Sequence, residues 1–265
     1  MKRENVIRQR TSCRHLSRPT KTEGQMRIHE LRESGPLIAA MYRQVLQPSF
    51  PSSELVDLDE IQDIAACDTG SVWIAEDPGG IILGVAVAEW DADLRVLLLS
   101  YLAVRPGVRN GGVGGRLYAI ALESWRNKFA PCVMITEIED PAVHPAGVDH
   151  GDPVARQRFY LAHGGRILDL PYFQPALRPD APRVSGLLLL VLHADPEFVG
   201  ADDESINAEP LRKISGAIPG AVRRTRGSGR SVDGNVARSR PPYRYPRPHS
   251  ARDCRLKFIA ALHVH

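Results

Sequence analysis

The 265-residue sequence predicts a mixed α/β (α+β) domain with a central, mostly antiparallel sheet flanked by helices. Three observations carry this prediction. Residues 71–104 contain three β-rich runs separated by short turns of Asp, Pro and Gly, the pattern of an antiparallel meander. Helical and strand patterns then alternate from residue 114 to residue 193, which places helices against a sheet. A glycine-rich loop joins these two halves and runs directly into a helix.

Periodicity defines the individual elements. A first strand is expected at residues 26–31. Apolar residues then recur at helical spacing over 36–46 and 58–67, on either side of a proline-bounded break at 48–51. The meander consists of strands 71–75, 81–90 and 94–104. After it we expect a helix at 114–127, a strand at 132–138, a helix at 153–162 and strands at 165–170 and 187–193.

Charge divides the chain into three parts. Residues 1–25 carry seven Lys and Arg against two acidic residues, and residues 210–265 carry thirteen against two. The stretch between them has fourteen basic and twenty-seven acidic side chains. We therefore expect a domain at 26–200, a disordered basic arm at 1–25 and a disordered Arg/Pro/Gly-rich tail at 201–265. The tail composition would also arise from an extended or shifted reading frame.

Several classes of protein are disfavoured. The four cysteines are scattered without disulfide or metal-ligand spacing, which favours a cytoplasmic protein. The longest apolar run, 186–192, is far below the roughly 20 residues of a membrane span, so no membrane partner is expected. His144 and His150 lie near Asp140 and Asp149 in a loop without regular spacing, so we expect no metal. Nucleic acid is not an expected partner, and a homodimer is left open.

The loop at 109–115 carries the chemistry. It combines Arg109 with four glycines, and a helix that includes Arg116 begins on it. Glycines let the backbone approach an anion closely, and the first N–H groups of a helix have no internal partner. A P-loop would need Lys-Ser/Thr after the glycines, and a Rossmann loop would need G-x-G-x-x-G in a βαβ unit. Neither pattern is present.

Residues 109–114, R-N-G-G-V-G, match the pattern R/Q-x-x-G-x-G/A, and the lead-in 102–109 (LAVRPGVR) matches L-x-V-x-P-x-x-R. The sequence thus resembles the GNAT superfamily of acetyl-CoA-dependent N-acetyltransferases, in particular bacterial members, over residues 26–195. The resemblance implies acetyl-CoA as co-substrate. It also implies these cofactor-binding residues: Leu102, Ala103, Val104, Arg109, Asn110, Gly111, Gly112, Val113, Gly114, Gly115 and Arg116.

A second match lies at residues 158–165, which resemble the closing helix of the family, commonly F/L-Y-x-x-x-G-F. The resemblance implies that Tyr160 protonates the departing CoA thiolate. Gly165 stands where the family usually has Phe. Pro153 stands where an Asn often contacts CoA, so that contact is not carried over.

The resemblance also implies a mechanism. The sheet would splay between the fourth and fifth strands, and an amine would attack acetyl-CoA directly in a ternary complex. Many relatives have, at the strand position that Leu98 occupies in this chain, a Glu that acts as the general base. Glu137 is the preferred replacement, with Glu139, Glu89, Asp91 or water as alternatives. Cys132 is interpreted as a core residue and not as a nucleophile.

The acidic body suggests a cationic acceptor, either a small molecule or a protein amine. Residues 171–177 lie where the family builds part of its acceptor pocket. An alternative function is a non-catalytic acyl-CoA-binding or regulatory module, which would suit the missing Glu at Leu98.

Overall fold

The computed structural model describes residues 26–108, 111–144, 151–170, 172–174, 184–201, 205–207, 210–211 and, for the backbone, 222–225. Within these ranges it confirms the predicted fold class. The helices are α1 (Pro36–Met41), α2 (Leu58–Ala66), α3 (Val113–Phe129) and α4 (Pro153–Ala162). The strands are β1 (Arg27–Leu31), β2 (Gly70–Glu76), β3 (Ile82–Asp91), β4 (Val96–Val104), β5 (Val133–Glu139), β6 (Arg166–Leu168), β7 (Tyr172–Gln174), β8 (Val184–Ala194), β9 (Ser205–Ile206) and β10 (Val222–Thr225).

The described strands form one sheet in the order β1-β2-β3-β4-β5-β8-β6-β10-β9, and β7 also pairs with β8. Strands β4 and β5 run parallel, whereas the other described pairs are antiparallel. The parallel ladder extends from Val96 and Val133 to Leu99 and Thr136. Both strands continue past that point without pairing to each other, so the sheet splays as expected.

A β-bulge marks the start of the splay. Val87 of β3 pairs with Tyr101 of β4, whereas the next residue, Ala88, pairs with Leu99. Ser100 is therefore the extra residue on β4. A bulge bends its strand and increases the local twist. Because this bulge follows directly on the last β4–β5 pair, β4 turns away from β5 there.

Two apolar layers cover the sheet. On one face, Ile38, Met41 and Ile61 of α1 and α2 belong to a core cluster with alternate residues of β3 and β4, such as Val87 and Leu98. On the other face, α3 contributes the fully buried Leu117, Ala121 and Trp125 to a cluster that includes Ala86, Ala88 and Leu99. Burying each large aliphatic side chain contributes about 1.5–3 kcal/mol.

The structure corrects several predicted boundaries. The predicted helix 36–46 is an α-helix only to Met41 and continues as a π-helical turn, Tyr42–Leu46. The short strands β7, β9 and β10 were not predicted, because two to four residues carry no readable period. Ile206 and Leu211 are buried at 1% and 0% exposure in the core cluster on the α1–α2 face. The packed unit therefore runs past residue 200, into the predicted tail.

The predicted arm at 1–25 and most of the predicted tail lie outside the described residues. No helix within the described ranges is both long enough and apolar enough to cross a membrane.

Candidate active site

The splay opens a cleft with two arms. The strand arm lies between residues 98–102 of β4 and 136–139 of β5. The helix arm follows β4 from Leu102 to Val104 and reaches Gly114 at the start of α3. The residues that line both arms, and so make the cleft continuous, are Ser49, Phe50, Leu102, Arg156 and Tyr160.

The helix arm ends at a helix N-terminus suited to an anion. Gly112 caps α3 with φ 70° and ψ 3°, a left-handed conformation that favours glycine. The first turn of α3 contains no acidic residue. A Cβ on Gly114 would lie 3.1 Å from Cγ2 of Val104, so the helix start and β4 approach closely. The unpaired N–H groups and the helix dipole favour a negative group at this point.

Four of the eleven predicted cofactor-binding residues line this arm. Leu102, Ala103, Val104 and Gly114 line it, and the others that the structure describes, Gly111, Gly112, Val113, Gly115 and Arg116, belong to the adjoining loop and first turn of α3. Arg109 and Asn110 lie outside the described residues.

One edge of β4 faces the cleft with its backbone. Leu102, Ala103 and Val104 pair with β3 on their other edge, through Ala86, Val85 and Gly84. In the described part of the chain, no strand pairs with the cleft-facing edge beyond Leu99. Backbone N–H and C=O groups require partners, so this edge can bind an extended, amide-containing ligand in the manner of an added strand.

Tyr160 lies where the two arms meet. It is 5% exposed, and its hydroxyl hydrogen-bonds with the Thr136 side chain. Burial raises the pKa of Tyr160 to about 12, although the Thr136 hydrogen bond and the charge of Arg156 act to lower it. The phenol is therefore protonated near neutral pH and can donate its proton to an anion formed in the cleft.

The end of α4 positions Tyr160. Gly164 has φ 89°, and the N–H of Gly165 donates to the Tyr160 carbonyl over 2.8 Å. A left-handed glycine with such a hydrogen bond ends a helix. Gly164 therefore ends α4. Gly165 stands where the family usually has Phe. A Cβ at this position would lie 2.9 Å from the Tyr160 carbonyl oxygen, so Gly165 packs directly against the end of the helix.

Glu137 lies on the strand arm, as the first residue of β5 beyond its pairing with β4. Its carboxylate accepts hydrogen bonds from the Tyr172 hydroxyl and from the Gln174 side chain. Burial raises the pKa of Glu137 to about 7, and the neighbouring Glu54 acts in the same direction. Such a group can accept a proton near neutral pH. Tyr172 and Gln174 belong to the predicted segment 171–177, whose residues 171 and 175–177 lie outside the described ranges.

The alternative carboxylates occupy different places. Glu139 lines the strand arm and forms an ion pair with Arg156 at 2.9 Å. Asp91 accepts a hydrogen bond from the Leu94 N–H in the β3–β4 turn, and it does not line the cleft. Glu89 is 2% exposed on β3 and accepts a 2.8 Å hydrogen bond from the Ser100 hydroxyl. Burial raises the pKa of Glu89 to about 7.

Cys132 and Leu98 lie in the core. Cys132 is fully buried, and burial raises the pKa of its thiol to about 12, so it is a poor nucleophile. Leu98 is 1% exposed and packs among aliphatic residues, although it also borders the strand arm. Cys67 is only half-buried and hydrogen-bonds with the Thr69 hydroxyl.

His144 contacts the Ser185 carbonyl through Nε2 at 3.1 Å, while His150 and Asp149 lie outside the described residues. In the ranges that the structure describes, no group of three or more His, Cys, Asp and Glu could hold a metal ion.

Several cleft residues were not identified from the sequence: Ser49, Phe50, Glu54, Ser100, Thr136 and Arg156. Three of them come from the 49–54 loop, which reads only as a helix break. The Ser49 hydroxyl is buried without a hydrogen-bond partner among the described residues, so it is available to a ligand. Arg156 could have been found, because it precedes Tyr160 by one helical turn and lies on the same face.

No protein-family model and no curated protein matches the sequence. Solved structures with a related fold include a GNAT-family chain from Bacteroides thetaiotaomicron, with 22% identity, a TM-score of 0.45 and coverage of 63% of this chain and 83% of that one. A GNAT-family acetyltransferase from Elizabethkingia anophelis, solved with acetyl-CoA bound, has 19% identity and a TM-score of 0.43, with coverage of 63% of this chain and 96% of that one. The ribosomal-protein-S18-alanine N-acetyltransferase from Escherichia coli has 15% identity and a TM-score of 0.44, with coverage of 66% of this chain and 99% of that one.

Proposed function

We propose that this chain is an N-acetyltransferase of the GNAT superfamily, which transfers an acetyl group from acetyl-CoA to a primary amine. The observation that carries the proposal is the cleft between β4 and β5, along which an unpaired edge of β4 leads to the N-terminus of α3. In the described part of the motif, residues 102–104 lie on this edge and residues 112–114 lie at this helix start. The resemblance in sequence and the geometry of the cleft thus support the same function.

The helix arm fits acetyl-CoA. Gly112 and Gly114 leave room at the start of α3 for a pyrophosphate, which the backbone N–H groups and Arg109 would bind. The pantetheine part of acetyl-CoA contains two amides and can pair with the free edge of Leu102–Val104 as an added strand. This arrangement would direct the thioester towards Tyr160, where the arms meet.

The strand arm would hold the amine. Glu137 accepts one proton from the ammonium group, and the resulting amine attacks the thioester carbonyl carbon. A backbone N–H on the free edge of β4 stabilises the negative charge that develops on the carbonyl oxygen. The carbon–sulfur bond then breaks, and Tyr160 gives its proton to the thiolate. The nitrogen loses its second proton to the resulting phenolate, which restores Tyr160 and leaves a neutral amide. The acetyl group passes directly to nitrogen, so the enzyme forms no covalent intermediate.

The lining of the strand arm favours a cationic acceptor. Glu54, Glu137 and Glu139 line it, with Arg156 as the basic residue among the described lining residues. The carboxylates would attract an ammonium group and hold it in the cleft. The acceptor would then be a polyamine, an aminoglycoside-like compound or a protein lysine. A cytoplasmic location, where acetyl-CoA is available, remains part of this proposal.

The test is an acceptor screen with the purified full chain. Acetyl-CoA binding is measured by calorimetry, and thiol release is followed with polyamines, aminoglycosides and lysine-containing peptides. We expect acetyl-CoA to bind and at least one amine to release free thiol. Binding without release for every class of amine would instead support the non-catalytic acyl-CoA-binding module. A chain that does not bind acetyl-CoA would contradict both functions.

A further inference from the structure

Ser100 and Glu137 occupy equivalent positions on the two diverging strands. The last parallel pair joins Leu99 to Thr136, and Ser100 and Glu137 are the next residues along β4 and β5. Both line the strand arm. A ligand held where the strands part would therefore meet a hydroxyl from one strand and a carboxylate from the other.

Glu89 fixes the hydroxyl of Ser100. The Ser100 hydroxyl donates a hydrogen bond to Oε1 of Glu89 over 2.8 Å, and Glu89 lies behind the cleft wall at 2% exposure. A serine hydroxyl has one proton to donate and two lone pairs that can accept. While that proton is directed at Glu89, Ser100 can only accept a hydrogen bond from a group in the cleft.

We propose that Ser100, oriented by Glu89, is a specificity-determining residue that selects primary amines by accepting a second N–H of the attacking nitrogen. This inference rests on the proposed function. Glu89 does not line the cleft and acts through Ser100, so it is a positioning residue.

The chemistry follows from counting N–H groups. A primary ammonium has three, of which one proton is transferred to Glu137. Two N–H groups remain on the attacking nitrogen, so one can bind Ser100 while the lone pair attacks the carbonyl carbon. A secondary amine keeps only one N–H. Binding this N–H to Ser100 turns the additional carbon substituent towards Glu137, and turning the substituent away from Glu137 places it against Ser100, whose acceptor is then left without a donor. Either arrangement costs free energy.

The experiment compares 1,5-diaminopentane with its N,N′-dimethyl derivative, whose two nitrogens are both secondary. Thiol release is measured at saturating acetyl-CoA for the wild-type chain and for Ser100→Ala. Removing one hydrogen bond to a charged group should lower kcat/KM for the primary diamine about 10- to 100-fold. The value for the dimethyl compound should stay the same or rise, because alanine leaves no unpaired acceptor. The preference for the primary diamine should therefore collapse.

Three further variants separate orientation from packing. Ser100→Thr keeps the hydroxyl and should keep the preference. Glu89→Leu removes the group that holds the Ser100 proton, and should reduce the preference in the same direction as Ser100→Ala. Ser185→Ala removes an exposed hydroxyl on β8, outside the cleft lining, and should change neither value.

The outcomes distinguish this inference from the proposed function. A wild-type chain that binds acetyl-CoA and acetylates the primary diamine, with a preference unchanged by Ser100→Ala, would overturn the inference alone. A wild-type chain that releases no thiol with either diamine would overturn the proposed function for these amines, together with the inference. If Glu89→Leu does not fold, Ser100→Ala and Ser100→Thr still decide the result.

Discussion

Strands β4 and β5 each have two halves, and the halves differ in pairing and in composition. Over Val96–Leu99 and Val133–Thr136 the strands pair, and their side chains are buried and largely aliphatic. Beyond these residues the strands part, and the cleft is lined by Ser100, Tyr101, Glu137 and Glu139. The same two strands thus supply part of the core at one end and a candidate active site at the other.

The transition between the two halves depends on few residues. Ser100 is the additional residue of the bulge, and Thr136 is the last paired residue of β5. The Thr136 hydroxyl donates to the Leu99 carbonyl over 2.9 Å, at the last step of the ladder. Glu137 lies directly beyond this step, and Glu89 lies beside it on β3, where it accepts from Ser100. Burial raises the pKa values of both carboxyl groups to about 7. The local change in strand pairing therefore coincides with two carboxyl groups of raised pKa inside an otherwise apolar sheet.

The largest expected effect in the splayed half is on the binding of acetyl-CoA. Gly114→Leu places a side chain where α3 begins, beside Val104, and should abolish acetyl-CoA binding in calorimetry. Gly35→Leu is the matched control, because a Cβ at Gly35 meets no atom within 4 Å. Undiminished affinity of Gly114→Leu, in a variant that melts like the wild type, would remove this helix start from the binding site.

The next largest effect concerns Tyr160. Tyr160→Phe removes the hydroxyl and keeps the ring that packs against Tyr118 and Phe159. It should lower kcat by roughly 10²–10⁴-fold, the usual range for a positioned general acid, with little change in acetyl-CoA affinity. Near-wild-type turnover on a genuine acceptor would leave Tyr160 as a packing residue.

Substitutions in the paired half should change the free energy of unfolding and not kcat. Leu98→Ala removes a fully buried side chain and should cost about 2–5 kcal/mol in the free energy of unfolding. Since Leu98 also borders the strand arm, kcat is compared at a temperature where the variant is folded. A loss of kcat without a loss of stability would show that the two halves are not separate in function.

The pH dependence should reflect Glu137. With a pKa near 7, the carboxylate loses its basic form as pH falls, so kcat/KM should decrease about tenfold per pH unit below about 7. Tyr172, Gln174 and Glu54 face the Glu137 carboxylate. Glu137→Gln should flatten the acidic limb of the profile of kcat/KM against pH. An acidic limb that persists in Glu137→Gln would assign it to another group, with Glu89 the first to examine.

The free energy of unfolding should also depend on the titration of Glu137. Between pH 4.5 and about 7 the folded state binds more protons at Glu137 than the unfolded state, so stability should fall with rising pH over this window.

Features of the fold and of the cleft also differ in how well the sequence predicted them. The aliphatic run of β4, the meander and the glycine-rich loop have strong periodic or compositional signals, and they predicted the fold and the helix start at Gly112 and Gly114. Tyr160 was identified because its spacing to the helix stop at Gly164 is local. These features depend on residues that are close in the sequence.

The strand arm depends on contacts that are distant in the sequence. Glu89 and Ser100 meet across a bulge, and Tyr172 reaches Glu137 from a strand of three residues. The 49–54 loop supplies Ser49 and Glu54 from before the meander. No periodicity encodes such pairings, because they arise only when the register of the sheet is fixed.

The smallest expected effect lies at the boundary between the halves. Thr136→Val keeps the volume of the side chain but removes the hydroxyl that donates to the Leu99 carbonyl and contacts Tyr160. Losing one buried hydrogen bond should cost about 1 kcal/mol in the free energy of unfolding. Because the Thr136 hydrogen bond lowers the pKa of Tyr160, its removal should raise that pKa further and make the phenol a weaker acid. We therefore expect a modest decrease in kcat with unchanged acetyl-CoA affinity, measured beside Thr136→Ser, which keeps the hydroxyl. If Thr136→Val lost stability but kept kcat, Thr136 would only close the ladder, and the environment that Tyr160 needs would have to come from Arg156.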